Sequence, residues 1–338
     1  MGQSSRPKKE QSLSVAGRQW VRGRMLGKGG FGSVYLGWVK KPNMCADALP
    51  PIFAVKSTLY CDALELVTEN SILGTFSSCP FIIHRYGDDV TAGVDGNKVF
   101  NMFMEYADGG TMRDLINNSG SSGLPEFQVR KYTEAILQGV KHIHEMGYVH
   151  CDLKPENILL VTKSDSGGSE FVPKIGDLGL TKRVIEERAG GTTMYWSPET
   201  VIQDIQQQPS DIWALGCVVL NMLTGKKQPW DLKAGARPWD LMLQIASKSP
   251  TIPVWLSDEA KDFVGKCFVW SPSERFTAAK LLNHPFVTNL DPVKELFSVS
   301  SSSSKKQILP LGSKTCHSKS NHCLPKATRF PYNWSCLA

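Results

Sequence analysis

The alternation of hydrophobic and polar positions divides the chain into a strand-rich part, a helical part and a tail. Between Trp20 and Glu105, short apolar runs alternate with turn residues, which is typical of strands. The pattern predicts strands at Arg22–Leu26, Ser33–Lys40, Phe53–Leu59, Ile82–Tyr86 and Lys98–Glu105. One helix is predicted over Cys61–Gly74, because apolar residues recur there at helical spacing.

After Gly110 the pattern takes the period of amphipathic helices. The segment Phe127–Met146 has an apolar face, and Ser210–Thr224 is apolar enough to predict a buried helix. Shorter helices are predicted over Asp240–Ala246, Glu259–Phe268 and Thr277–Leu282. Residues 1–19 are polar and basic, and residues 288–338 contain the serine run Ser298–Ser304, followed by Lys, Ser and Pro without periodicity. We expect a flexible start and a disordered tail, because neither segment has a periodic apolar pattern.

The composition is that of a globular protein and argues against several classes of function. The 338 residues are 41% hydrophobic and 21% charged, and no apolar stretch approaches the ~18–20 residues of a membrane helix. The net charge of +6 is spread along the chain, whereas nucleic-acid binders concentrate it. The nine cysteines include no CxxC pair, so a zinc ribbon is unsupported and reduced thiols are expected.

These observations predict a cytoplasmic protein with neither a membrane nor a nucleic acid as partner. The basic segment Arg6–Lys9 leaves nuclear import open, with an ordinary solvated basic terminus as the other interpretation.

The first chemical motif is glycine-rich and reads Leu26-Gly27-Lys28-Gly29-Gly30-Phe31-Gly32-Ser33-Val34. Glycines let a backbone approach phosphates and direct its N–H groups at them. Alone, the motif fits a plain hairpin turn about equally well. A strand-type run follows it rather than a helix, so we predict a loop between two strands and not a dinucleotide-binding turn.

A lysine ends the next apolar strand, Phe53-Ala54-Val55-Lys56. A lone lysine at a strand end is usually a solvated edge residue. However, Glu69 lies thirteen residues further on, in the predicted helix, and a Lys–Glu pair would hold the ammonium on nucleotide phosphates. We predict Glu69 because the buried stripe continues after it, with Glu65 as the alternative.

The strongest motif lies between two apolar runs and contains Asp152, Lys154 and Asn157. The carboxylate can accept a hydroxyl proton, the lysine can neutralise a phosphoryl group in transfer, and the amide can hold a metal. The alternative is a polar surface turn, but chance seldom assembles this order. An apolar strand also delivers Asp177 into a glycine turn. Alone, Asp-x-Gly is most often a plain turn, but its position twenty residues after Asn157 favours a Mg²⁺ ligand.

In this order and with these gaps, the motifs resemble those of eukaryotic protein kinases. The later runs Ser197-Pro198-Glu199 and Asp211-x-Trp213-x-x-Gly216 extend the resemblance, which covers about residues 20–287. It implies an α+β, bilobal protein-kinase fold. A small β-rich N-lobe with one main helix would span residues 20–106, and a larger α-rich C-lobe would span 107–287. Lys154 and the Pro-Glu-Asn after it are the serine/threonine-kinase form of the loop.

The resemblance implies ATP and Mg²⁺ as cofactors. The expected ATP-binding residues lie in the glycine-rich loop, the lysine strand and the hinge between the lobes: Leu26, Gly27, Lys28, Gly29, Gly30, Phe31, Gly32, Ser33, Val34, Ala54, Lys56, Met104, Glu105 and Ala107. Met104 would be the gatekeeper, and the backbone of Glu105–Ala107 would bind adenine. Asn157 and Asp177 would bind Mg²⁺.

The resemblance also implies the catalytic roles. Lys56 with Glu69 would orient the phosphates, and Asp152 would be the base. Lys154 would stabilise the γ-phosphoryl group, and Thr192 would hydrogen-bond near Asp152. Two further expectations are structural: Asp211 would brace the catalytic loop, and Glu199 would pair with Arg275.

Several segments, among them Gly109–Met112, His150-Cys151-Asp152 and Gly191-Thr192, resemble the MAP kinase kinase kinases, in particular the small MEKK-like group of plants. That group implies MAP kinase kinases as protein substrates, and we expect the protein to be a monomer. The alternatives are a kinase of another pathway, a pseudokinase scaffold, and nucleic-acid binding through the basic tails. None of Lys56, Asp152, Asn157 or Asp177 is missing, which argues against the scaffold.

One departure concerns regulation. Cys151 precedes the expected catalytic Asp152, where many kinases have an arginine that receives an activation-loop phosphate. Between Leu180 and Thr192 the sequence has a single hydroxyl side chain, Thr181. Both observations lead to the hypothesis that activity does not depend on phosphorylation of this segment.

Overall fold

The first part of the chain forms a six-stranded antiparallel sheet. The computed structural model describes residues 12–15, 18–40, 49–93, 95–165, 168–186, 189–233 and 235–289. The strands of the sheet are β1 (Ser12–Val15), β2 (Arg18–Gly29), β3 (Gly32–Val39), β4 (Ile52–Leu59), β5 (Arg85–Ala92) and β6 (Lys98–Met104), in the order β1-β2-β3-β4-β6-β5. Helix α1 (Leu64–Thr75) lies between β4 and β5 in the chain.

The structure adds one strand to those predicted for this part and moves another. Strand β1 lies within the segment 1–19, for which we expect flexibility, and it pairs with β2; its polar–apolar alternation is too short to be noticed in a sequence. The strand predicted at Ile82–Tyr86 instead begins at Arg85 and runs to Ala92. The middle of this strand contains Asp88 and Asp89, and consecutive aspartates are typical of a loop. In the strand, the Asp89 carboxylate accepts a hydrogen bond from buried Trp20.

The second part is mainly helical. Its helices are α2 (Met112–Asn118), α3 (Glu126–Glu145), α4 (Pro198–Gln203), α5 (Gln208–Thr224), α6 (Pro238–Ile245), α7 (Asp258–Cys267), α8 (Ala278–Leu282) and α9 (Pro285–Thr288). The residues of α5 from Ser210 to Thr224 are all buried, so this helix is the centre of the core, as its apolar sequence predicts. The short helices α2, α4 and α9 were not predicted.

Two small antiparallel pairs position the loops that carry the chemistry. Strand β7 (Tyr148–Val149) pairs with β10 (Lys182–Arg183), and β8 (Ile158–Asp165) pairs with β9 (Gly168–Ile175). Residues 150–157 connect β7 to β8, and residues 176–181 connect β9 to β10. Each of these loops runs between the same two strand pairs, so the two loops lie side by side. They are joined where the Gly176 N–H donates to the Asn157 carbonyl at 2.8 Å.

Within the described ranges, no helix has the length and apolar character needed to cross a bilayer. The prediction of a disordered Ser-rich tail falls almost entirely on residues 290–338, which lie outside the described residues.

Candidate active site

Lys56 is buried between two carboxylates. Its Nζ lies 2.7 Å from Oε2 of Glu69 and 2.9 Å from Oδ1 of Asp177. The alternative partner, Glu65, is exposed, so the pair is formed with Glu69. Burial alone would lower the pKa of Lys56, but the two carboxylates raise it above its usual value, and the ammonium stays charged. The same ammonium holds the pKa of Asp177 below its usual range despite its burial.

The glycine-rich motif forms the hairpin between β2 and β3, as predicted. Gly32 has a φ of +137°, and a Cβ there would lie 2.7 Å from the carbonyl oxygen of Ser57. Only glycine fits this position without strain, because both the backbone conformation and the space exclude a side chain. The Phe31 ring, at the tip, lies over Lys56 with its centroid 5.7 Å from Nζ. The hairpin therefore covers the paired lysine.

An apolar cavity lies beneath this hairpin. Leu26, Val34, Ala54 and Ala107 are buried together, with Met104 packed against them. Of the other residues predicted for the motif, Lys28 and Gly30 are exposed. From this cluster, Val34, Ala54 and Met104 line the cavity. The lining also includes five residues that the sequence did not predict, which are Leu73, Ile83, Glu156, Leu159 and Gly176. Leu159 had a usable signal, because it follows Asn157 by two residues in an apolar run.

The expected hinge residues Glu105 and Ala107 differ in how their backbone N–H groups are used. The Glu105 N–H donates to the carbonyl of His84 at 2.8 Å, and both Glu105 carboxylate oxygens accept from Lys174, at 2.7 and 2.8 Å. No hydrogen bond in the described part of the chain uses the N–H of Ala107, although this residue is buried. A buried N–H without a partner is costly, so an acceptor atom supplied by a ligand would suit this position.

Asp152 lies in a dense set of hydrogen bonds. Its Oδ1 accepts from both the N–H and the Oγ1 of Thr192, each at 2.8 Å. Its Oδ2 lies 2.9 Å from Lys154 Nζ and accepts from Asn157 Nδ2 at 3.1 Å. Lys154 also donates to Thr192 Oγ1 at 2.9 Å. The carboxylate and the ammonium are thus held side by side, where one can take a proton and the other can neutralise a developing charge.

Asn157 and Asp177 fit a magnesium ion. Asn157 Nδ2 is used by Asp152, whereas its Oδ1 is buried and has no hydrogen-bond partner in the described structure. Asn157 and Asp177 line the same cavity. The described residues hold no group of three or more His, Cys, Asp or Glu side chains suited to a metal. Mg²⁺ usually takes one or two protein oxygens and completes its shell with phosphates and water, so two oxygens would be enough to hold it here.

Asp211 braces the catalytic loop from the buried helix α5. Its carboxylate accepts the N–H of His150 at 2.8 Å and that of Cys151 at 3.0 Å, and it lies 2.8 Å from His144 Nε2. Burial alone would raise the pKa of Asp211, but the hydrogen bond from His144 and the nearby imidazoles lower it. The carboxylate therefore stays ionised and fixes the two peptide groups before Asp152.

Glu199 and Arg275 form a buried bidentate ion pair. Arg275 Nη1 donates to Oε1 at 2.7 Å, and Nη2 donates to Oε2 at 3.0 Å. Arg275 donates further to the carbonyls of Val269, Pro209 and Trp270. The pair thus joins α4, at the end of the segment that follows Asp177, to the loop between α7 and α8.

The arrangement suits phosphoryl transfer from a nucleotide to a hydroxyl group. The apolar cavity and the hinge can hold a base, Lys56 and the hairpin lie on the phosphate side, and Asp152 with Lys154 lies beyond them. Most of such catalysis consists of positioning and charge stabilisation, which these groups can supply.

Comparison with known proteins agrees with this chemistry. The chain matches the protein kinase domain over residues 20–287 and belongs to that family. It is 39% identical over 275 residues to mitogen-activated protein kinase kinase kinase 20 of Arabidopsis thaliana, covering 80% of this chain and 78% of that protein. It is 36% identical over 285 residues to mitogen-activated protein kinase kinase kinase 17 of the same plant, covering 81% and 72%. Mitogen-activated protein kinase kinase kinase A of Dictyostelium discoideum is 33% identical over 312 residues, covering 86% and 30%.

The chain is therefore a protein serine/threonine kinase with the α+β, bilobal kinase fold, and the resemblance to the plant MEKK-like group is confirmed. Kinase domains of this family use ATP, typically with Mg²⁺.

Proposed function

We propose that this kinase acts as a MAP kinase kinase kinase, transferring the γ-phosphoryl group of ATP to serine and threonine hydroxyls of a MAP kinase kinase. The observation that carries the chemistry is the hydrogen-bonded set of Asp152, Lys154 and Thr192, which holds a carboxylate and an ammonium 2.9 Å apart. The substrate class rests on the relatives, whose names describe mitogen-activated protein kinase kinase kinases.

Each residue near the cavity has one task in this proposal. The Ala107 N–H binds the adenine edge, and Leu26, Val34 and Leu159 pack against the base. Lys56, fixed by Glu69, orients the phosphates. Together these contacts position the phosphoryl group in line with the incoming hydroxyl group.

The transfer itself is carried by the catalytic loop. Asp152 accepts the proton of the substrate hydroxyl, and Lys154 neutralises charge on the phosphoryl oxygens. Asn157 Oδ1 and Asp177 would hold Mg²⁺, which supplies neutralisation of phosphate charge. Thr192 keeps Asp152 and Lys154 in register because it hydrogen-bonds to both.

We also propose that the protein works as a cytoplasmic monomer, with nuclear entry through the basic segment Arg6–Lys9 as the alternative. Fractionation of cells that express the full chain, with and without that segment neutralised, distinguishes the two locations.

The function is tested by a phosphotransfer assay with the purified full chain. The substrate is a MAP kinase kinase made inactive by a substitution in its own active site, and mass spectrometry maps the phosphate. We expect transfer to the activation-loop serine or threonine residues of the substrate. Asp152→Asn should lower kcat by at least about 10²-fold, because the amide cannot accept the proton.

The outcomes separate the competing functions. Transfer to a generic protein substrate but not to the MAP kinase kinase would keep the kinase and refute the pathway. ATP binding without transfer to any substrate would instead support the scaffold. Equal rates for the wild type and Asp152→Asn would contradict the role of the carboxylate.

A further inference from the structure

Gln206 joins the segment that follows Asp177 to the catalytic loop. This buried residue follows α4, and its side chain makes three hydrogen bonds to main-chain groups. Oε1 accepts the N–H of Gly190 at 2.9 Å, and Nε2 donates to the Gly190 carbonyl at 3.1 Å. Nε2 also donates to the Cys151 carbonyl at 2.8 Å. One neutral amide therefore bonds both polar groups of Gly190 and one peptide of the catalytic loop.

The peptide on the catalytic-loop side is the one that leads into Asp152. Cys151 has a φ of +68°, a conformation that a side-chain-bearing residue adopts only when its surroundings hold it. Its N–H is bound by Asp211 and its carbonyl by Gln206, so both of its peptide groups are fixed. Gln206 thus helps to set the direction in which the chain enters Asp152, together with Asp211 and with His150, whose Nδ1 accepts the Asp152 N–H at 3.2 Å.

The main chain at Gly190 and Gly191 is also held by close contacts. The Gly190 carbonyl also accepts from Trp196 Nε1 at 2.9 Å. A Cβ on the next residue, Gly191, would lie 2.4 Å from the Cys151 carbonyl oxygen, so the two backbones touch there. Thr192 follows directly and hydrogen-bonds to Asp152. Fixing Gly190 therefore places Thr192 at the catalytic carboxylate.

The position taken by an arginine in many kinases is filled here by Cys151, a buried thiol that carries no charge. Burial raises its pKa far above the usual value for cysteine. A thiol of this kind cannot bind a phosphate. Whatever holds the segment on this loop must therefore be a different group.

We propose that Gln206 is a positioning residue that holds the segment after Asp177, called here the activation segment, on the catalytic loop. The kinase then acts without a phosphate on that segment. Neutral hydrogen bonds from the Gln206 amide replace the charge pair between an arginine and a phosphate. This inference rests on the phosphotransfer proposed above, and it adds how the site is kept in its working arrangement.

Three variants test this role. Gln206→Ala removes all three hydrogen bonds. Gln206→Glu keeps the shape, and its carboxylate can still accept from Gly190 N–H, but only its protonated form can donate to Cys151. Gln203→Glu, three residues earlier on the exposed side of α4, makes the same chemical change without these contacts and is the matched control.

The glutamate variant has a distinctive pH dependence. The cavity beside Gln206 is lined by the titratable groups Cys151, Asp152, Tyr195 and Asp211. Two further charges act on the Cys151 thiol: Lys182 lowers its pKa, and Glu186 raises it. Burial and the two aspartates disfavour a carboxylate at position 206, so its pKa is raised and its protonated, donating form gains as the pH falls. The kcat of Gln206→Glu, divided by that of the wild type, should therefore rise between pH 8 and pH 6.

The measurements use enzyme treated with a phosphatase and shown by intact mass to carry no phosphate. We expect the wild type to keep its activity, and Gln206→Ala to lose about tenfold to hundredfold in kcat with the KM for ATP unchanged. Amide hydrogen exchange at residues 189–196 should accelerate in the Ala variant and not in Gln203→Glu. A purely structural contact would alter stability without producing the pH-dependent recovery of Gln206→Glu.

Each possible result either supports or overturns the proposed role of Gln206. Loss of wild-type activity on dephosphorylation overturns the inference, as does a Gln206→Ala kcat within about twofold of the wild type. If Gln206→Ala fails to fold, the pH ratio of Gln206→Glu decides, and a flat ratio overturns the inference. If the untreated wild type transfers no phosphate to any substrate, the proposed function fails and the inference with it, which differs from failure of the Gln206 variants alone.

Discussion

Removing the charge of Glu199 should destabilise this kinase strongly. Glu199→Gln keeps the size of the side chain but leaves the guanidinium of Arg275, whose side chain is fully buried, without its counter-charge. Breaking a buried ion pair by removing one partner costs about 3–5 kcal/mol. For a domain of this size, 1 kcal/mol corresponds to about 2–4 °C in Tm, so we expect a decrease of about 6–20 °C.

The assay is thermal and urea unfolding of the wild type and the variant, followed by tryptophan fluorescence. Glu145→Gln is the matched control, because Glu145 pairs with Lys141 on the exposed face of α3 at 3.0 Å. An exposed pair at this spacing contributes about 0.3–0.5 kcal/mol. A loss below about 1 kcal/mol in Glu199→Gln would refute the reasoning, since it would mean that Arg275 can be satisfied by its carbonyl contacts alone.

The same pair predicts how the difference depends on pH. Burial alone would raise the pKa of Glu199, but Arg275 lowers it below the value of 4.5 that an unperturbed glutamate has. A lowered pKa in the folded state adds stability above the unfolded pKa, and that stability is lost as the pH falls through the folded pKa. The difference in unfolding free energy between the wild type and Glu199→Gln should therefore be constant near neutrality and shrink below about pH 4.5.

Two further substitutions test the active site. Thr192→Val removes the hydroxyl that hydrogen-bonds to Asp152 and should lower kcat by about 10–150-fold. Thr192→Ser keeps a hydroxyl and should retain most of the kcat. Equal kcat values for the Val and Ser variants would contradict this role. Gly32→Ala places a Cβ against the Ser57 carbonyl at a φ of +137°, so we expect a loss of more than about 1 kcal/mol in unfolding free energy and a higher KM for ATP; an unchanged KM would show that the hairpin adjusts freely.

The long elements could be predicted from sequence because their periodicity is repeated over several turns. Helices α3 and α5 were found in this way, each within a few residues of its observed ends. Helix α2 has seven residues, and its signal is the capping box of Thr111 and Asp114, which is easily overlooked. Strand β5 was misplaced because its stability depends on partners distant in sequence, such as Trp20 for Asp89.

Site residues with their own chemistry could also be predicted. Lys56, Glu69 and Asp177 come from separate motifs, and the fold brings them within hydrogen-bonding distance. Gln206 could not be predicted, because its partners are backbone groups at Cys151 and Gly190. Every residue has such groups, so no sequence pattern marks a side chain that binds them across 55 positions.

A contact made by one neutral amide cannot be released by removing or adding a charge. A phosphatase has nothing to remove from Gln206, and an amide does not change its charge at any pH that a cell reaches. If the activation segment is held by Gln206 from the moment the chain folds, each new molecule is competent at once. The total kinase activity would then follow the rates at which the cell makes and degrades the protein.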